Sequence, residues 1–106
     1  MTDPRIETFR RMVAKDPANV LARYGLANEA LKAGLYDEAR EQLEAYLGAY
    51  DDEGNGWGRL AEALTQLGRN PEAIHALRTG IAAAERYGHT GMAHELEQRL
   101  EELNDS

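Results

Sequence analysis

The chain repeats itself at an interval of 34 residues. Sliding Val20–Glu53 onto Gly54–Tyr87 places Leu26 on Leu60, Ala27 on Ala61, Gly34 on Gly68, Glu38 on Glu72, Ala39 on Ala73 and Leu43 on Leu77. A fixed period of this size marks stacked supersecondary units. Each unit buries its apolar face only against its neighbours, so the units must stack. Such an architecture favours binding over catalysis.

The repeating unit is helical. Valine occurs only at positions 13 and 20 and isoleucine only at 6, 74 and 81, and no stretch alternates apolar and polar residues as a half-buried strand would. Spacing and caps predict six helices. The first starts at Asp3-Pro4 and carries Ile6, Phe9, Met12 and Val13 on one face. The second starts at Asp16-Pro17 and runs to about Ala33. The third begins near Asp37 and aligns Ala39, Leu43, Tyr46, Leu47 and Tyr50. The fourth begins near Asn55 and stacks Trp57, Leu60, Ala61, Leu64 and Leu67. The fifth starts at Asn70-Pro71 with Ala73, Ile74, Leu77, Ile81 and Ala84, and the sixth near Thr90 with Leu96, Leu100 and Leu103.

The punctuation agrees with these starts and stops. Each of the three prolines follows an Asp or Asn, whose side chain can accept from the free N–H groups of a first helical turn. Proline just inside a helix loses no hydrogen bond. Gly34, Gly68 and Gly88 stand where a left-handed C-terminal cap is wanted. Helices joined by such short turns lie antiparallel to their neighbours. The expected fold is all-α, a stack of helical hairpins. Residues 4–16 form a lone first helix, 20–53 and 54–87 two full units, and 90–104 a closing helix.

Composition excludes several roles. At 106 residues the chain is one domain, long enough to bury a core without staples. It has no cysteine, hence no disulfide framework or thiolate metal site, and that suits a cytoplasmic setting. No apolar run approaches the ~20 residues that span a bilayer. The opening Met1-Thr2-Asp3-Pro4-Arg5 has no apolar stretch of the kind a secretory signal needs. A net charge of −7 disfavours nucleic acid and anionic membranes as partners.

These residues resemble the tetratricopeptide repeat family. Its unit of two antiparallel helices, A and B, follows the pattern W-x2-L-G-x2-Y, a glycine turn, then A-x3-F-x2-A. Here the second unit reads Trp57, Leu60, Ala61, Leu64, Gly68, Ala73, Leu77, Gly80, and the first Arg23, Leu26, Ala27, Ala30, Gly34, Ala39, Leu43, Tyr46. Phe9 takes the large B-helix position, so the first helix resembles a B helix without its A partner. The departures are Arg23 for the aromatic, Ala27 and Ala61 for glycine, Asp51 for proline, and Tyr46 for a small residue. The Tyr46 ring is expected to push helices apart locally.

The resemblance implies a short right-handed solenoid that binds proteins without catalysis or cofactor. Peptides would lie along the inner A-helix row, with Tyr24, Asn28, Gly58, Arg59, Glu62 and Gln66 as partner-binding residues. Gly58, offering no side chain beside Tyr24, is expected to leave a shallow pocket. Gly25 invites either close helix packing or a ligand backbone. Asn28 matches the first asparagine of the carboxylate clamp found in chaperone-binding repeats, but Tyr24 and Arg59 occupy its lysine and second asparagine positions, so a clamp is not expected. A second possibility is a homo-oligomer, because Ile6, Phe9 and Val13 on the unpartnered first helix would lack a cover.

Other constellations resolve to ordinary structure. Trp57 falls at a packing position between helices. Asp51, Glu53, Asn55, Gly56 and Glu62 mimic the spacing of a calcium loop, but Gly58 stands at the apolar anchor and the repeat needs helix from Asn55 onward. His89 and His94 are five apart, which does not aim two imidazoles at one metal, and His75 is remote in sequence. No metal site is expected. Ser106, the only serine, is terminal, so no serine triad is expected either.

Overall fold

The computed structural model describes residues 3–105, so Ser106 and the first two residues of the N-terminal segment lie outside it. Among the described residues there are six helices and no strand: α1 Pro4–Lys15, α2 Val20–Lys32, α3 Tyr36–Ala49, α4 Asn55–Gln66, α5 Asn70–Arg86 and α6 Thr90–Asn104. Each helix packs on the next in the chain, so the molecule is a stack of antiparallel hairpins. None of these helices is long and apolar enough to cross a membrane.

Three turns share one design. Gly34, Gly68 and Gly88 have φ of 77°, 75° and 76°. In each, the residue after the glycine donates its N–H to the carbonyl five residues back: Leu35 to Ala30, Arg69 to Leu64 and His89 to Ala84, all at 2.8 Å. This left-handed closure satisfies orphan carbonyls at the helix end.

One helix start at a proline differs from expectation, and one start is capped differently. Asp3 does cap α1, accepting from the Arg5 N–H at 2.8 Å. Asp16 does not open α2. It ends α1 in non-helical backbone, donating its N–H to the Met12 carbonyl, and its carboxylate accepts from Ala18 N–H within a turn. Helix α2 starts at Val20 instead, with Asn19 accepting from Ala22 N–H. At the third proline α5 does start at Asn70, but Asn70 is its first helical residue and not its cap, because the Gly68 turn delivers the chain directly into the helix.

The core is built of small and branched residues. Leu26, Leu43 and Leu77 are fully buried, and Ala27, Ala61 and Ala73 let the helix axes approach between them. Trp57 packs on this cluster, with Gly80 making room: a Cβ there would meet the Trp57 Cβ at 2.8 Å. The indole also borders an apolar groove of about 340 Å³ with Leu60, Leu64, Pro71 and Ala76.

The face of α1 expected to await a second copy is already covered. Ile6 is 2% exposed, Val13 is half-buried, and the Phe9 ring lies over Gly25 of α2. A Cβ on Gly25 would sit 2.5 Å from Phe9 Cε1, so the glycine serves helix packing. Arg10 adds a two-pronged contact from α1 to Glu38 on α3, at 2.8 and 2.6 Å. Ile6 is therefore a core residue of the monomer, and Phe9 and Val13 are partly covered within it.

Candidate functional site

The side of the stack formed by α2, α4 and α6 carries three depressions that run into one another. The first, about 240 Å³, lies between α2 and α4 and is lined by Asn28, Leu31, Lys32, Arg59 and Glu62. The second, about 200 Å³, lies between α4 and α6 and includes Asn55, Arg59, Glu62, Met92, Glu95 and Arg99. The third, about 270 Å³, includes Glu62, Thr65, Gln66, Arg99 and Leu103. Glu62 borders all three, so it stands where they meet.

Helical periodicity explains the arrangement. Arg59, Glu62 and Gln66 are three and four apart, which puts them on one face of α4. All three are exposed. Asn28 and Lys32 are likewise four apart on α2, facing the first depression. Asn28 Oδ1 is buried and has no hydrogen-bond partner among the described residues. Neither Arg59 nor Arg99 has a carboxylate within ion-pair distance among those residues. Arg59 Nε makes only a long contact, 3.4 Å, to the Tyr24 hydroxyl, and Arg99 Nη2 donates to the Gly58 carbonyl at 3.0 Å.

Two expected features are corrected. Gly58 does border the second depression, but α6 and not empty space lies against it: the glycine is buried, and a Cβ there would meet Leu96 Cδ2 at 3.0 Å and Arg99 Nη1 at 3.1 Å. Helix α6 fills the gap from across the stack. Tyr24 does not face an empty position either. Its ring packs on Tyr46, with centroids 4.7 Å apart. Arg99 was not singled out from the sequence. The Gly88-His89-Thr90-Gly91 link blurs the register of α6, and only its leucines announced an inner face.

Tyr46 does not force helices apart. Its ring is buried because Gly56 yields the space, a Cβ there lying 2.9 Å from Tyr46 Cε2. The hydroxyl donates to Asp52 Oδ2 at 2.7 Å, while Asp52 Oδ1 accepts from the N–H groups of Gly54 and Gly56, both at 2.7 Å. Asp52 is only 5% exposed and caps the start of α4. Burial, reinforced by the Asp52 carboxylate, pushes the Tyr46 phenol well above its ordinary range. The signal was local: an aspartate with glycines two and four residues later.

The neighbouring acids also have protein partners. Asp51 accepts from Arg86 Nη2 at 2.8 Å and from the Tyr87 hydroxyl at 2.6 Å, and Glu53 lies 2.8 Å from His89 Nε2. The remaining groups of the calcium-like spacing lie along α4, which is helical from Asn55. His94 is beside Gln98, and His75 borders the Trp57 groove.

The tetratricopeptide repeat family matches residues 6–53 and again residues 24–87. A TPR repeat-containing protein of Pseudomonas aeruginosa is 32% identical over 83 residues, spanning 78% of this chain and 79% of that protein. Repeats of this kind generally serve as protein-interaction modules. Stacked antiparallel hairpins, the shared glycine turns and these matches lead to one conclusion: the chain belongs to the tetratricopeptide repeat family.

Proposed function

We propose that the domain is a non-catalytic adaptor or scaffold module of the cytoplasm, binding an extended segment of another protein along the α2–α4–α6 face. The observation that carries this is the continuity of the three depressions through Glu62. A peptide running across them would pass Asn28, Arg59, Glu62, Gln66 and Arg99 in turn. The Asn28 carbonyl oxygen would accept a backbone N–H, relieving a buried acceptor whose isolation costs roughly 1–3 kcal/mol. Arg59 and Arg99 keep N–H donors for acceptors on the ligand, and Glu62 selects a basic or N–H-rich position between them. Mixed charge on this face, within a chain of net charge −7, suits a protein segment better than a polyanion.

The test is selection from a peptide library followed by mapping the bound peptides on backbone amide shifts. Perturbations should centre on Asn28, Arg59, Glu62 and Gln66, and Arg59→Glu should weaken binding about tenfold or more with an unchanged melt, as expected for loss of a hydrogen-bonded charge. Perturbations confined to α3 and α5, or full affinity in Arg59→Glu and Asn28→Ala, would refute groove binding.

A further inference from the structure

The two end helices carry opposite charge. Helix α1 holds Arg5, Arg10, Arg11 and Lys15 against Glu7 alone, a net of +3 in a chain of −7. Helix α6 holds Glu95, Glu97, Glu101 and Glu102 against Arg99, a net of −3 with histidine neutral. Elsewhere, charges are mostly consumed within the molecule: Arg40 by Asp37 and Glu44, Arg69 by Glu72, Arg86 by Asp51; on α1, Arg10 is consumed by Glu7 and Glu38 and Arg5 lies 3.7 Å from Glu29. On the outward faces of the end helices they are not. Arg11 and Lys15, four apart, are exposed and form no ion pair among the described residues, and the same holds for Glu97 and Glu101. Met12, 40% exposed, adds an apolar patch beside Arg11.

These faces lie at opposite ends of the stack, since α1 packs on α2 and α6 on α5. With 12 and 15 residues they present rows roughly 18 and 22 Å long, so the charged pairs can meet along most of a helix. We propose that copies of this chain associate head to tail, the basic outer face of α1 on one copy docking on the acidic outer face of α6 on the next. Like net charge repels two copies in most orientations, and this one reverses the sign at the contact. The interface is heterologous, so each copy added leaves a free α1 and a free α6, and growth is open rather than closed into a dimer. With Met12 as its main apolar element, the contact is weak and salt-sensitive. It does not use the peptide groove and stands apart from the function proposed above.

Sedimentation velocity on the full chain tests this at low and high micromolar concentration, in about 0.01 M and about 1 M salt, where the screening length falls from about 30 to about 3 Å. At low salt the mean mass should rise with concentration to at least twice the monomer, and at high salt it should return to the monomer. Two doubly substituted chains, Arg11→Glu with Lys15→Glu and Glu97→Lys with Glu101→Lys, should each lose association at least tenfold while keeping the wild-type helical signal. Mixed in equal amounts they should associate again, because each supplies the sign the other lacks. The proposal is overturned by a wild type that stays monomeric at low salt, by a reversed chain that still associates alone, or by folded variants that fail to recover on mixing.

Discussion

A glycine inside a helix costs about 1 kcal/mol relative to alanine, and at several helical glycines of this chain neighbouring side chains occupy the space so released. Gly56 receives the Tyr46 ring, and Gly58 receives Leu96 and Arg99. Gly48 on α3 has nothing within 4 Å of its missing Cβ. The same substitution should therefore have opposite effects at two sites. Gly56→Ala should destabilise by about 1–3 kcal/mol, since Tyr46 and Asp52 are locked by hydrogen bonds and cannot yield. Gly48→Ala should raise stability by a few tenths to about 1 kcal/mol through helix propensity alone. Urea midpoints of the two variants check the contrast, and equal shifts would discredit the packing at Gly56. Tyr46→Phe should cost about 1–3 kcal/mol, because the buried Asp52 carboxylate loses a donor. None of these partnerships was legible in the sequence as such. A glycine announces space, but which residue enters depends on neighbours that the chain brings back much later, as α6 does over Gly58.

Elements were far more legible, because their signals are local. Helical period and turn glycines located all six helices, and of the starts at Asx-Pro pairs only the one near Pro17 moved, where the Asn19 cap prevailed over Asp16. The cover over Ile6 was missed for the opposite reason: it needs α2 to approach α1 closely across Gly25. Gly34 and Gly68 close identical turns with open space around them, so alanine at either should cost about 1–2 kcal/mol from the left-handed backbone alone. Unequal costs, measured by thermal or urea unfolding, would show that the two hairpins are not energetically equivalent. The Arg10 fork gives the docking of α1 a pH dependence. Hydrogen bonding to Arg10 holds the Glu38 carboxyl below its ordinary value of 4.5, so this stabilisation is complete above that pH and is lost as the pH falls through the lower folded value. Glu38→Gln should flatten part of the acid-induced fall in stability and speed amide exchange in α1. An unchanged acid profile would remove Glu38 from its cause.

At the scale of the whole molecule, helix-by-helix packing predicts a wholly helical far-UV spectrum and one cooperative melt, since a single cluster runs from Ala27 on α2 to Leu96 on α6. Separate melting of the α2–α3 and α4–α5 hairpins would contradict that shared core. The order of contacts has a further consequence, in time rather than in space. Every helix packs chiefly on its immediate neighbours in the chain, so no early segment waits for a distant one. Local contacts of this kind close quickly, and refolding should finish within roughly milliseconds. On the ribosome, each hairpin can form as it emerges and then act as the template for the next.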